Sequence, residues 1–172
     1  MSGMSDTARK IYVTGLRNAH AMEAQAIELL ERQVGRLQNY PEMSARMQQH
    51  IAESQAQQKR LEEALSSLSE TWSTIKDTAM AAIGNLLALG HVPAPDEVVK
   101  NTFANFAFEH YEMAAYKTLM TLAEAAGHSS AMAGLRQSLQ EEEAMARWID
   151  EHIKPTTLRF LERSAAGETA GR

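Results

Sequence analysis

The chain has 172 residues, no cysteine, and 17 Lys and Arg against 22 Asp and Glu, a net charge of -5. The length suffices for one domain with a sizeable core. The missing cysteines exclude disulfides, thiolate chemistry and Cys-based zinc or iron–sulfur sites. An acidic balance without a Lys/Arg cluster argues against a nucleic-acid partner. Hydrophobic residues make up 44% and aromatics only 6%, and Ala, Glu, Gln, Leu and Met dominate, a helical composition. The first residues, Met1 to Asp6, carry no basic start or apolar run, so no secretion signal is expected. The longest apolar run, Ala79 to Leu89, is interrupted by Gly84 and Asn85 and is too short to span a bilayer. The expectation is a soluble cytoplasmic protein with no membrane partner.

The first helix is predicted to start at Ser5 or Asp6 and to run to about Gln38, leaving residues 1–5 as a flexible N-terminus. Val13, Leu16, His20, Glu23, Ile27, Leu30, Val34 and Leu37 alternate in steps of three and four, the pattern of a bundle helix. Asn39-Tyr40-Pro41 reads as a tight turn, with Pro41 suited to the first position of the next helix. Helix two is predicted from Glu42 to Ser69, with Met43, Met47, His50, Ser54, Gln57, Leu61, Ala64 and Leu68 on one face. Glu53 lies beside that face. The short connection makes the first two helices an antiparallel hairpin, so their midpoints meet.

Trp72 to Leu89 reads as an additional Ala-rich helix, followed by a break at His91 to Asp96. A connection of this length crosses the bundle from end to end, which ferritin-like bundles require and simple up-down-up-down bundles do not. Asp96 is the expected cap of helix three, which continues to Ala126 and stops at Gly127. Its stripe is Val99, Thr102, Phe106, Glu109, Met113, Tyr116, Met120 and Ala123, with Glu112 one turn beyond Glu109. Helix four is predicted from Ser129 or Ser130, presenting Met132, Leu135, Leu139, Glu142, Ala146, Ile149 and Ile153 before Pro155 interrupts it. A short helical piece is expected over Thr156 to Arg163, and residues 164–172 as a disordered tail outside the 6–163 bundle. The methionines at helical spacing read as core filler rather than a copper site, and Trp72 and Trp148 as peripheral.

Glu23, Glu53, Glu109 and Glu142 fall near the midpoints of four helices, with Glu112 beside them. Moving a carboxylate out of water costs several kcal/mol unless a counter-charge is present. Side chains at equal depth on facing stripes converge. Five converging carboxylates without a cation would hold several of their number protonated. One or two divalent ions per chain remove that conflict, and carboxylates with an imidazole suit iron, with manganese or zinc as alternatives. Taken singly each glutamate is more readily a structural or rim residue; their common depth is what points to metal.

This arrangement resembles the YciE/YciF branch of the ferritin-like superfamily. The resemblance rests on Ala21-Met22-Glu23-Ala24-Gln25, His50-Ile51-Ala52-Glu53-Ser54 with Arg60-Leu61-Glu62, Glu109-His110-Tyr111-Glu112-Met113-Ala114-Ala115-Tyr116, and Leu139-Gln140-Glu141-Glu142-Glu143-Ala144. It covers about residues 8 to 152. It implies an all-α, antiparallel four-helix bundle with a long crossover, commonly dimeric, with a carboxylate-rich dinuclear site and a stress-linked role.

The chain departs from well-characterised di-iron relatives, which carry Glu-x-x-His on the second and fourth helices. Here Ala56 and Met145 stand three residues after Glu53 and Glu142. The nearest imidazoles are His20 and His50, each three residues before a glutamate; each reads as a ligand, a donor to a carboxylate, or a core histidine. Gln57 and Tyr116, one turn from proposed ligands, are candidates to hydrogen-bond them. His110 reads as a surface or packing residue, and His91, His128 and His152 as solvated residues at helix ends.

Two functions compete. One is an oxidoreductase in which paired iron ions handle oxygen or peroxide, ferroxidase activity being the most economical form. The other is a non-enzymatic bundle whose site is empty, structural or zinc-filled. Membrane or partner-helix binding through Ala79 to Leu89 is a weaker third.

Overall fold

The computed structural model describes residues 2–72 and 94–171, with side chains from Asp6 onward. It contains α1 (Ser2–Val34), α2 (Pro41–Ser67), α3 (Glu97–Ala126), a 3-10 turn (Ser129–Ala131) and α4 (Met132–Ala165). The additional helix expected from Trp72 to Leu89 lies outside the described residues apart from Trp72, as does His91. No helix among the described residues is long and apolar enough to cross a membrane.

α1 packs on α2 and α3, and α4 packs on α3 and α2, so α1/α4 and α2/α3 are the diagonals of a four-helix bundle. The C-terminal end of α1 meets the start of α3, where Arg36 pairs with Glu97 at 2.5 Å. At the opposite end Tyr12 of α1 meets His128, just past α3. α1 and α3 are therefore antiparallel, and α2 ends at the end opposite to the start of α3. That is the topology a long crossover between the two hairpins imposes.

Local chemistry explains most boundaries. α1 stops at Val34 rather than near Gln38, because Gly35 carries a high entropic cost in a helix and the chain then folds Leu37 under the bundle. Pro41 opens α2, where its missing N–H forfeits nothing. Gly127 closes α3 in the left-handed region (φ 73°), and the backbone N–H of His128 reaches Ala123 O at 2.8 Å. Asp96 stands at the start of α3 without making a side-chain cap bond; its carboxylate pairs instead with Lys100 at 2.9 Å.

Two expectations fail after Pro155. α4 runs through that proline to Ala165, because Pro155 and Glu151 are both exposed and water can satisfy the carbonyl left free. The tail beyond it is ordered by the bundle. Gly167 (φ 71°) turns the chain, Tyr40 Oη donates to Ala170 O at 2.6 Å, and Val98 N–H donates to Gly171 O at 3.0 Å. Ala170 is buried, and a Cβ on Gly171 would stand 2.3 Å from Pro95 O, so the close approach requires glycine there.

The core is split in two. Tyr12, Leu16, Met22, Leu61, Leu65, Tyr116, Leu119 and Leu135 fill one end. Leu30, Leu37, Tyr40, Met43, Met47, Val98, Met145 and Ile149 fill the other. Between them lies a buried polar layer containing Glu23, His50, Ser54, Gln57, Asn105, Glu109, Glu112, Ser138 and Glu142. The predicted α2 face is buried from Met43 to Ala64, with Leu68 partly buried. On α1 the buried face is turned slightly, taking in Tyr12, Ala19 and Ala26 and leaving His20, Ile27 and Val34 half-buried. On α3, Val99, Phe106, Met113 and Met120 are likewise half-buried.

Candidate metal centre

Each side of the bundle brings its polar residues to the layer because the helices hold them at one depth. His50 of α2, Glu109 and Glu112 of α3, and Glu142 of α4 are all buried, and one ligand atom from each lies within 4.8 Å of the others. His50 Nε2 stands 3.2 Å from Glu109 Oε2 and 3.4 Å from Glu142 Oε2. Glu23 completes the layer from α1. Its Oε1 accepts a 2.7 Å hydrogen bond from Tyr116 Oη, and its charge is felt at Glu142 and Glu112.

Electrostatics bear out the cost of this crowding. Burial, followed by repulsion from Glu142, pushes the carboxyls of Glu23 and Glu112 well above the ordinary range. Burial also raises Glu109, to about 7, although the neighbouring imidazole of His50 pulls the other way. Burial alone would lower His50, but Glu109, Glu142 and Glu53 around it hold it well above its ordinary value. Glu142 falls below the carboxylate range: its burial is outweighed by the same imidazole.

The remaining predicted residues sort by position. Glu53 is not among the four that converge. It sits at the edge of the layer, 20% exposed, where it takes hydrogen bonds from Gln49 (2.8 Å) and Arg46 (3.1 Å) and lies 2.8 Å from His50 Nδ1. Burial would raise its carboxyl, but His50 and Arg46 draw it down to about 2. Glu53 thus orients the ring whose other nitrogen faces the cluster. Gln57 is buried and donates to Glu141 Oε2 at 3.0 Å, with Glu142 also within its reach. His20 is placed apart from the cluster: its Nε2 lies 2.9 Å from Glu62 Oε1 and its ring stacks on exposed Trp72.

Sequence reasoning placed two histidines wrongly. His128 is buried between Tyr12 Oη (3.2 Å) and Ser67 Oγ (2.8 Å), because the turn after α3 folds it inward. His152 lies inside α4, stacked on Trp148 with ring centres 3.8 Å apart. His110 is on the surface, as expected. Two inter-helix pairings went unread, one buried and one half-buried. Gln33 of α1 and Asn105 of α3 exchange amide hydrogen bonds at 3.2 and 2.7 Å. Arg60 of α2 grips Glu141 of α4 through both nitrogens, at 2.7 and 2.8 Å. The only signal for the second was the position of each on the shoulder of a polar stripe centre.

The donor set suits a metal ion. Both oxygens of Glu112 and of Glu142, one each of Glu23 and Glu109, and His50 Nε2 are buried without a hydrogen-bond partner. Unpaired buried acceptors in such number are costly, and a cation satisfies them together.

Topology and polar layer together define a ferritin-like four-helix bundle with a buried His/Glu cluster compatible with metal. Residues 7–162 match the family described as "Domain of unknown function (DUF892)", and the chain belongs to that family. It is 26% identical over 149 residues to Protein YciF of Escherichia coli (strain K12), covering 80% of this chain and 85% of that protein. A crystal structure of a Xanthomonas campestris pv. campestris protein superposes with a TM-score of 0.79 at 31% identity, covering 92% of this chain and 99% of that one. The Desulfovibrio desulfuricans bacterioferritin, whose structure describes a diiron site, matches with a TM-score of 0.70 at 20% identity, over 98% of this chain and 91% of that one, a likeness of fold.

Proposed function

We propose that this protein binds one or two divalent ions, iron foremost, between Glu23, Glu109, Glu112, Glu142 and His50, and serves in a stress response. The observation that carries the reading is the set of unpartnered carboxylate oxygens and His50 Nε2 converging in the layer between the two apolar clusters. Four ionised carboxylates with a neutral imidazole balance two divalent charges, and an oxygen-rich donor set with one nitrogen suits iron or manganese. Bound iron supplies redox chemistry toward oxygen or peroxide, of which ferroxidase turnover is the simplest form. The chain's own residues do the rest: Glu53 fixes the His50 ring, Tyr116 holds Glu23, and the two apolar clusters keep bulk water out. The stress role is supported by the likeness to the Escherichia coli stress protein YciF. A cytoplasmic homodimer completes the reading, with exposed Phe103 and Tyr111 on α3 available to an interface.

A second reading is a non-enzymatic bundle. Ala56 and buried Met145 stand where relatives supply imidazoles, and a protonated His50 already offers the carboxylates one internal counter-charge. Elemental analysis of protein purified without added metal, beside a Glu109→Ala/Glu142→Ala double variant, separates the two. Iron or manganese near one or two per chain, lost in the variant, supports the metal centre. Trace metal unchanged by the substitutions would sink it. Oxygen consumption on addition of ferrous iron then distinguishes turnover from a structural ion, and light scattering gives the oligomeric state.

A further inference from the structure

The cluster is closed off on most sides by apolar side chains. Leu16, Ala19, Met22 and Tyr116 belong to the packing at one end, and Leu30, Met47, Met145 and Ile149 to that at the other. Among the described residues, two polar files lead outward. One passes through His50 to Glu53, where the imidazole ring itself fills the path; a ring can pass a proton between its two nitrogens, but not a metal ion. The other runs between α2 and α4, from Glu142 to Gln57, from Gln57 to Glu141, and from Glu141 to Arg60. Exposure rises along this second file: Glu142 and Gln57 are fully buried, whereas the side chains of Glu141 and Arg60 are 19% and 17% exposed.

We propose that the Arg60–Glu141 ion pair is the gate through which divalent cations reach the buried cluster, with Glu141 receiving the ion and Gln57 passing it inward. The inference rests on the metal-centre reading. Gln57 Oε1 is buried without a hydrogen-bond partner and the Glu142 carboxylate is fully buried beside it, so acceptors line the inner half of the file. Arg60 closes the outer half: it takes Glu141 through two nitrogens, and Nη1 also donates to Ser138 Oγ at 2.9 Å. Its stem lies across Gly134, where a Cβ would already touch Arg60 carbons at 3.6 Å. An incoming cation must displace the guanidinium from Glu141, because the fixed positive charge otherwise opposes it. Arg60 can swing to solvent while Glu141 stays beside Gln57, which makes the arginine the moving part.

A gate predicts effects of opposite sign for its two halves, whereas a mere structural cross-link predicts the same sign. The test is stopped-flow uptake of Co²⁺ by the full chain, followed by release to EDTA. Arg60→Gln removes the barrier charge and should speed both uptake and release by about tenfold, the scale of local electrostatic steering. Glu141→Gln removes the receiving carboxylate and should slow uptake by a similar factor. Co²⁺ per chain should stay at the wild-type value in both. If Arg60→Gln does not fold, Arg60→Lys, which keeps the charge but loses the two-nitrogen grip, should fall between wild type and that expectation. Unchanged rates, or rates shifted in the same direction by both substitutions, would overturn the gate while leaving the metal centre standing. Absence of Co²⁺ uptake by the wild type, or uptake that survives Glu109→Ala/Glu142→Ala, would overturn both.

Discussion

Replacing Glu109 by Gln should stabilise the metal-free protein, and more so as pH rises. The carboxyl of Glu109 is raised from an ordinary 4.5 to about 7, burial being the main cause. Below pH 4.5 it is protonated in both folded and unfolded chains and contributes no difference. Between pH 4.5 and 7 only the unfolded chain ionises, so stability falls steadily, and above pH 7 the penalty is constant. At about 1.4 kcal/mol per pH unit over that interval, the loss comes to about 3 kcal/mol. Glutamine keeps the shape and cannot ionise, while the carboxylates of Glu53 and Glu142 still lie 2.8 and 3.4 Å from the His50 ring nitrogens. After exhaustive dialysis against chelator, urea unfolding of both proteins should be followed from pH 4 to 8. The stability of the variant relative to wild type should climb by about 3 kcal/mol between pH 4.5 and 7, or about 6–12 °C in melting temperature for a domain of this size. A difference that stays flat across that range, or that shrinks with rising pH, would refute the claim that this carboxylate is held in a metal-demanding environment.

Metal affinity should rise with pH between 5 and 8, because Glu23, Glu112 and Glu109 must surrender protons to act as ligands; calorimetry in buffers of different ionisation enthalpy should show net proton release on binding. Tyr116→Phe removes the donor to Glu23 Oε1 and leaves both oxygens of that buried group unpartnered, so metal-free unfolding should lose about 1–3 kcal/mol; an unaltered urea midpoint would show that the bond carries nothing. Tyr40→Phe cuts the 2.6 Å bond to Ala170 O and should cost about 1 kcal/mol while exposing the tail to limited proteolysis; equal cleavage rates in variant and wild type would count against the docked tail.

The helices were legible in the sequence because their repeats are long and steady. Nearly the whole buried face of α2, Met43 to Ala64, could be read from spacing alone, and Gly127 and Pro41 acted as expected at their boundaries. Pro155 misled because the rule against interior proline is local: it holds where the freed carbonyl is buried and lapses where water reaches it. The tail misled for the opposite reason. Its composition gives no sign of order, and what holds it is contacts from Tyr40 and Val98, more than 70 residues away in the chain.

Spacing alone places a carboxylate at one depth on each of four helices, since helical periodicity converts spacing directly into facing and height. Ala56 and Met145 offer no imidazole, which narrows the donor set whatever the packing. Which groups converge depends on how the helices are rotated against one another in the packed bundle. The rotation of α2 about its axis turns His50 in to Glu109 and Glu142 and leaves Glu53 at the edge, beside Arg46. A phase error of that size is invisible in a one-dimensional repeat, yet it decides whether a charge meets water or another charge.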